Sequence, residues 1–327
     1  MLAFLIRRFI LAIATIWAIT VLAFAIIQLP PGDFVSAYIA QLQASGSIVS
    51  AQEADMLRKQ YGLDQPIYVQ YLKWMGLILR GNFGMAMEWG LPVIDVIGDR
   101  LWLTMIVSVS AILLTWILAV PIGIYSAVRQ YSIADYTFTF IGFIGVATPS
   151  FLLALVLMYF GFKFFNINIG GLFAPQYLNA PWSMEKAWDL IKHLPLPALI
   201  LGLAGTAQLI RILRANLLDE LRKPYVAAAR TKGLTELKLI LKYPVRVALN
   251  PFISTLGYLF PYVVSGSIIV SLVLSLPTVG PLLLKALIAQ DMFLAGTIVL
   301  MLGVMTVVGT FISDLLLMWI DPRIRVG

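Results

Sequence analysis

Residues 101–128 contain no charged side chain. About 20 predominantly apolar residues in a helix suffice to cross a bilayer, so this run is a membrane-crossing helix with length to spare. Residues 9–29 repeat the pattern, with no charge between Arg8 and Asp33. The first run is too long for the apolar core of a signal peptide, and no small-residue cleavage site follows it. It reads as a retained span with its N-terminus in the cytoplasm.

Further runs of this kind divide the chain. The expected spans are residues 9–29, 101–128, 136–162, 194–214, 247–274 and 291–320. The apolar part of the fourth ends at Ile210. Pro149 is expected to kink the third, and Pro251 and Pro261 the fifth. Composition agrees: 61% of residues are hydrophobic, 12% are charged and the mean hydropathy is +0.93. No soluble single domain needs so much apolar sequence. The expected fold is an all-α polytopic membrane protein in one transmembrane domain, residues 1–327.

The formal charge of +7 would suggest nucleic acid in a soluble protein. Here the cations cluster in short segments between spans, so membrane topology explains them and nucleic acid is not needed. With both ends inside, the inner segments hold 14 of the 23 Lys and Arg residues. There is no cysteine and a single histidine, His193, which excludes disulfides, thiolate metal sites and a histidine-built zinc site.

Residues 31–100 form a long outer segment that caps the bundle. Residues 52–61 read as an amphipathic helix stopped by Gly62, and residues 68–79 show apolar side chains at helical spacing. Gly81-Asn82-Phe83-Gly84 reads as a turn. Residues 166–193 form a second outer loop. Residues 275–290 contain Leu276-Pro277-Thr278-Val279-Gly280-Pro281, which interrupts the helix and suggests an outer hairpin or re-entrant segment.

Residues 211–246 are the polar stretch between the fourth and fifth spans, with nine Lys/Arg against three acids. They read as two short helices joined at a glycine. Pro224 suits a first helical turn. Gly233 suits the position after a helix end, where positive φ is required. Thr235 is expected to cap the second helix, with Glu236 in its first turn, and Pro244 to end it. Ala227-Ala228-Ala229 leaves a face with little side-chain bulk, onto which another protein's groove can close. Arg230 and Lys232 would steer an acidic partner. The plainer reading is a basic tether.

The pattern Ala227-Ala228-Ala229-x-x-x-Gly233 resembles the EAA loop of inner-membrane permeases of ATP-binding-cassette importers. The branch is the one that carries dipeptides, oligopeptides, nickel and some oligosaccharides. YGLDQP at 61–66, RGNFG at 80–84, LPTVGP at 276–281 and DPRIR at 321–325 extend the resemblance along the chain. Departures are Ala227 for the family's acid, Tyr243 for a frequent histidine, and Asn82 for a frequent aspartate. Thr278 also replaces a glycine, and Ser271 stands where many members have glutamate.

The resemblance implies six spans and a coupling loop at 215–246 that touches the ATPase subunit through Tyr225, Ala227, Ala228, Ala229, Arg230, Lys232, Gly233 and Glu236. It implies a second homologous permease, two ATPase subunits and a periplasmic substrate-binding protein as partners. ATP and Mg would sit on the ATPase, and this chain would bind no cofactor. It further implies a cytoplasmic (inner) membrane location and alternating access. The fifth span would line the path, with Ser265, Ser267 and Ser271 as candidates. Read from residues alone, Ser265-Gly266-Ser267 is equally a helix-packing run.

No G-x-x-x-x-G-K-[ST], H-E-x-x-H or G-x-S-x-G motif occurs, so neither a P-loop ATPase nor those hydrolase chemistries is available. Asp314 is the acid well inside a span. A structural role is the simpler reading; a proton relay would make the chain an ATP-independent transporter or channel. A structural scaffold is the third class. Trp102, Trp116 and Trp319 read as interfacial anchors. Gln208, Arg211 and Arg214 read as a basic helix end at the membrane surface. Peptide and oligosaccharide substrates both remain open.

Overall fold

In a computed structural model of the chain, residues 2–44, 50–166, 169–178, 180–254 and 256–320 are described. The expected basic tail at 321–325 and the side chains of Pro251, Pro261 and Trp319 lie outside them. Among the described residues the chain is helical apart from one two-residue hairpin. Among these residues, four helical runs are long and apolar enough to cross a membrane: Ile6–Gln28, Arg100–Val128, Met184–Leu221 and Met292–Leu315. A bent pair of helices, Ile133–Ala147 with Ser150–Phe165, makes a fifth if it is one span. The chain divides into two compact units.

The first unit comprises Met1–Trp102 and Thr278–Val307. It holds α1 (Leu2–Gln28), α2 (Phe34–Ala44), α3 (Ala51–Tyr61) and α4 (Ile67–Leu79), then the hairpin β1 (Met85–Ala86) and β2 (Leu91–Pro92) and the short α5 (Val93–Ile97). Ser50 and Glu53 form a reciprocal capping box at the start of α3, and Gly62, at φ 69°, ends it as the sequence predicts. The helix α2 had no counterpart in the sequence reading. Asp33 starts it by accepting the Ser36 N–H at 2.7 Å, and also accepts from Arg58 Nε of α3 at 2.8 Å.

Trp74 of α4 is fully buried, and a Cβ at Gly296 would lie 2.8 Å from its ring. The hairpin is fastened by Asp291, which accepts the Met87 N–H at 2.6 Å and the Leu294 N–H at 3.0 Å. Residues 274–278 break the helix as expected, but the chain resumes as α15 (Val279–Ile288) rather than as a hairpin. Thr278 is extended, and Pro281 falls in the first turn, where its missing N–H leaves no helical bond unmade.

The second unit comprises Leu103–Pro277 and Val308–Gly327. Most of α6 (Arg100–Val128) lies in it, followed by α7 (Ile133–Ala147) and α8 (Ser150–Phe165). The expected third span, 136–162, is therefore two helices meeting at 107°, not one kinked helix. Pro149 disfavours helical backbone at the residue before it, and Thr148 is extended (φ −94°, ψ 121°). Next come α9 (Met184–His193) and α10 (Pro195–Leu221). The expected fourth span ended at 214; α10 continues about two turns further because Leu213 and Leu217 stay fully buried on its inner face. Within α9, Lys186 is buried against Phe173 and Trp182 and donates to the Ala180 carbonyl. Trp116 is partly buried against this unit's core.

Short helices α11 (Pro224–Arg230) and α12 (Glu236–Lys242) follow, then α13 (Pro244–Ser254) and α14 (Leu256–Val273). The expected fifth span, 247–274, falls on α13 and α14, and residue 255 between them lies outside the described residues. Pro244, expected to stop α12, does so by opening α13. Most of α16 (Met292–Ile320) belongs to the first unit, and its last turns to the second. α10 is the hub here and packs against α7, α8, α13 and α14. Two glycines let it approach its neighbours. A Cβ at Gly202 would lie 2.5 Å from Thr115 Oγ1, and one at Gly145 of α7 would lie 2.8 Å from Leu203.

A pH dependence follows for the α2–α3 pair. Burial raises the Asp33 pKa, but hydrogen bonds from Arg58 and Ser36 outweigh it and hold the carboxyl below the usual 3.8. A depressed folded pKa contributes stability that is present above that value and lost as pH falls through the lower one. Protection of the α2 and α3 amides, as hydrogen exchange relative to the intrinsic rate at each pH, should be high at pH 7 and fall below about pH 3.8. Asp33→Asn should show the lower protection already at pH 7.

Candidate functional site

The loop between α10 and α13 forms a small helical corner. Pro224 occupies the first turn of α11, as its fixed φ favours. Gly233 takes φ 76° between the helices, the left-handed backbone that the sequence predicts. Val226 and Ala229 of α11 and Leu239 and Ile240 of α12 are buried. They anchor the corner on its inner side. Ala227, Ala228, Leu237 and Leu241 are exposed, and Tyr225 is partly so.

Three expectations change. The bare alanine face comprises Ala227 and Ala228 only, because Ala229 turns inward at helical spacing. Thr235 stands at the cap position of α12, but its side chain makes no capping bond. Arg230 is not a free steering charge: its Nε and Nη2 donate to the two Glu236 carboxylate oxygens at 2.6 and 3.1 Å. This bidentate pair closes the corner across Gly233. Lys232 is also exposed and lies outside this pair.

The junction of α10 and α11 is also tied. Glu220, buried at the end of α10, accepts from Lys223 Nζ at 2.6 Å and from the Tyr225 hydroxyl at 2.5 Å. Burial and this bond push the Tyr225 phenol up to about 12. Sequence reasoning missed Glu220, although acid, base and tyrosine lie within five residues. It also missed the pairing of Asp135 with Arg214, 79 residues away. Arg214 Nε and Nη2 donate to Asp135 Oδ1 and Oδ2 at 3.2 and 3.0 Å, and the Tyr131 N–H reaches Oδ2 at 2.9 Å. Arg214 is therefore a tie between α10 and the start of α7, not simply a basic helix end.

The three serines of α14 fall on two faces. Ser265 is exposed beside Tyr262, Gly266, Ile269 and Leu272. Ser267 and Ser271 are buried; Ser267 Oγ donates to the Val264 carbonyl at 2.7 Å, and Ser271 Oγ has no hydrogen-bond partner among the described residues. Asp314 is partly buried on α16, six residues before its end at Ile320.

Residues 119–326 match the family of binding-protein-dependent transport system inner membrane components. Residues 1–108 match the N-terminal region of such membrane components. The chain belongs to this permease family. The permease is 35% identical to the oligopeptide transport system permease protein AppB of Bacillus subtilis, over 99% of this chain and 100% of that one. It is 28% identical to the dipeptide transport system permease protein DppB of Escherichia coli K12, over 99% of both chains. It is 30% identical to the glutathione transport system permease protein GsiC of Escherichia coli, again over 99% of both. The permease is thus a multi-pass inner-membrane component of an ATP-binding-cassette importer, similar along its whole length to peptide permeases.

In the permease, the Asp135 side chain is almost completely buried and that of Arg214 about a quarter exposed. Removing one partner of a buried pair costs about 3–5 kcal/mol, and the partial exposure of Arg214 sets the lower end. Asp135→Asn and Arg214→Met should each lower thermal stability in detergent by about 3 kcal/mol. The exchanged pair, Asp135→Arg with Arg214→Asp, should recover part of the loss. Full stability of both single variants would remove the tie from the account.

Proposed function

We propose that the permease forms half of an ATP-driven import path for oligopeptides or dipeptides. The end-to-end likeness to peptide permeases carries this reading. The three relatives are named for oligopeptide, dipeptide and glutathione transport and none for an oligosaccharide, so the oligosaccharide alternative is set aside. Six spans place both termini in the cytoplasm. The α11–α12 corner then faces the cytoplasm and residues 31–100 face the periplasm.

A second homologous permease completes the path, two ATPase subunits sit below, and a periplasmic binding protein delivers substrate from above. ATP and Mg belong to the ATPase subunits, and this chain contributes no P-loop. The exposed Ala227, Ala228, Leu237 and Leu241 supply the apolar surface on which the ATPase closes. Closure draws the two corners together, and each α10 carries that movement into its unit, switching the cavity from inward- to outward-facing. Ser265 lies on the open face of α14 and is the path candidate this conformation favours. Ser267 and Ser271 reach the path only if α14 rotates.

The test is peptide uptake by proteoliposomes of the co-expressed complex with its binding protein. Peptide-loaded binding protein should stimulate ATP hydrolysis and uptake together. Ala228→Trp should abolish both while helicity by circular dichroism stays unchanged. Peptide flux that needs no ATP, or full coupling in Ala228→Trp, would contradict the proposal.

A further inference from the structure

α7 and α10 do not close on each other along their whole length. Between them runs a shallow surface groove, lined in part by Thr139, Gly142, Phe143, Ala207, Arg211 and Arg214. Gly142 and Ala207 form its floor, where a Cβ on the glycine would lie 3.2 Å from the alanine Cβ. The two helices run antiparallel here, because Asp135 meets Arg214 and Gly145 meets Leu203. The groove is therefore cationic at one end and apolar at the other. From Phe138 to Val146 the apolar wall is about 12 Å long at 1.5 Å per residue.

The charges at the polar end are not equivalent. Arg214 is occupied by Asp135, both of whose carboxylate oxygens are engaged. Arg211 is exposed and makes no ion pair among the described residues. One unbalanced positive charge therefore stands at the mouth of an apolar slot. Arg211 lies 16 residues beyond Pro195, about 24 Å along α10, which is most of the ~30 Å thickness of a hydrocarbon core. Phe140, Ile141, Phe143 and Ile144 are exposed beside the slot and continue its apolar surface outwards.

We propose that this groove binds an anionic phospholipid, with the headgroup phosphate on Arg211 and one acyl chain lying over Gly142 and Ala207. A monoanionic phosphate complements the one unbalanced guanidinium, and the chain fills the slot that two small residues leave open. A zwitterionic lipid fits the slot but carries a cation into the same site. The occupant sits on the joint between α7 and the helix that leads into α11, so it would steady that joint. Assignment to the inner leaflet rests on the orientation proposed above; the lipid chemistry does not.

The test uses the full-length permease, with the subunits that co-purify, stripped of lipid in mild detergent. It is then offered equal amounts of phosphatidylglycerol and phosphatidylcholine, and native mass spectrometry counts the lipids retained. The wild type should retain phosphatidylglycerol preferentially. Arg211→Gln should lower that preference about fivefold, the change that follows from losing one surface cation, and Arg211→Lys should keep most of it. Thr139→Trp should block retention of either lipid, and inorganic phosphate should displace neither. Circular dichroism of each variant separates loss of the site from loss of the fold.

Equal retention by wild type and Arg211→Gln would overturn the proposal. So would displacement of phosphatidylglycerol by an excess of oligopeptide, which would give the groove to transported substrate. Neither readout uses ATP or transport, so an importer that carries peptide but retains no phosphatidylglycerol keeps the function above and loses only this site.

Discussion

The close approach of α10 to its neighbours is the contact on which the second unit depends. Within lipid, helices gain little from hydrophobic burial, because acyl chains are as apolar as leucine, so association rests on packing at short range. Gly202 against Thr115 and Gly145 against Leu203 provide that range, since any side chain at either glycine would overlap its neighbour. Ile200, Leu209, Leu213 and Leu217 are buried along the same helix. With α10 held on several sides, its far end can carry polar groups at defined positions without fraying.

That far end explains why the loop beyond it is ordered. Glu220 draws Lys223 and Tyr225 back onto α10 across the two-residue link to α11. Arg230 and Glu236 clamp α11 to α12 across Gly233, and Val226 and Leu239 are buried beneath. Exposed ion pairs contribute little stability singly. Here the pair restricts one corner angle already limited by a left-handed glycine and two buried side chains. A corner so held transmits displacement rather than absorbing it, and this is what a lever between an ATPase and a membrane helix requires.

How far the sequence could be read depended on the range of the interaction. Features set within a few residues were legible: the Gly62 stop, the Pro224 start, the positive φ of Gly233 and the break before Pro281 all follow from local backbone chemistry. Uncharged runs marked α1, α6 and α16 for the same reason. The reading of 136–162 placed the kink at Pro149 but not the 107° bend found there, because that angle depends on what the flanking helices pack against. The inward turn of Ala229 required knowing which face of α11 is covered. Asp135 and Arg214 carry no local signal of each other, so their pairing, and the different standing of Arg211 three residues earlier, emerged only in three dimensions. Thr235 shows the converse: a residue of the right type stands at a cap position, yet its side chain makes no capping bond.

The central claim is that α10 and the α11–α12 corner move as one body. The chain contains no cysteine, so spin labels can be placed at Ala215→Cys on α10 and Lys238→Cys on α12, both exposed, without further changes. The distance between them should be measured by pulsed electron resonance in the assembled complex, nucleotide-free and with a non-hydrolysable ATP analogue. The account predicts one narrow distance distribution that is the same in both states. A distance that shifts or broadens when nucleotide binds would show a hinge at Glu220 or Gly233 and would contradict the lever.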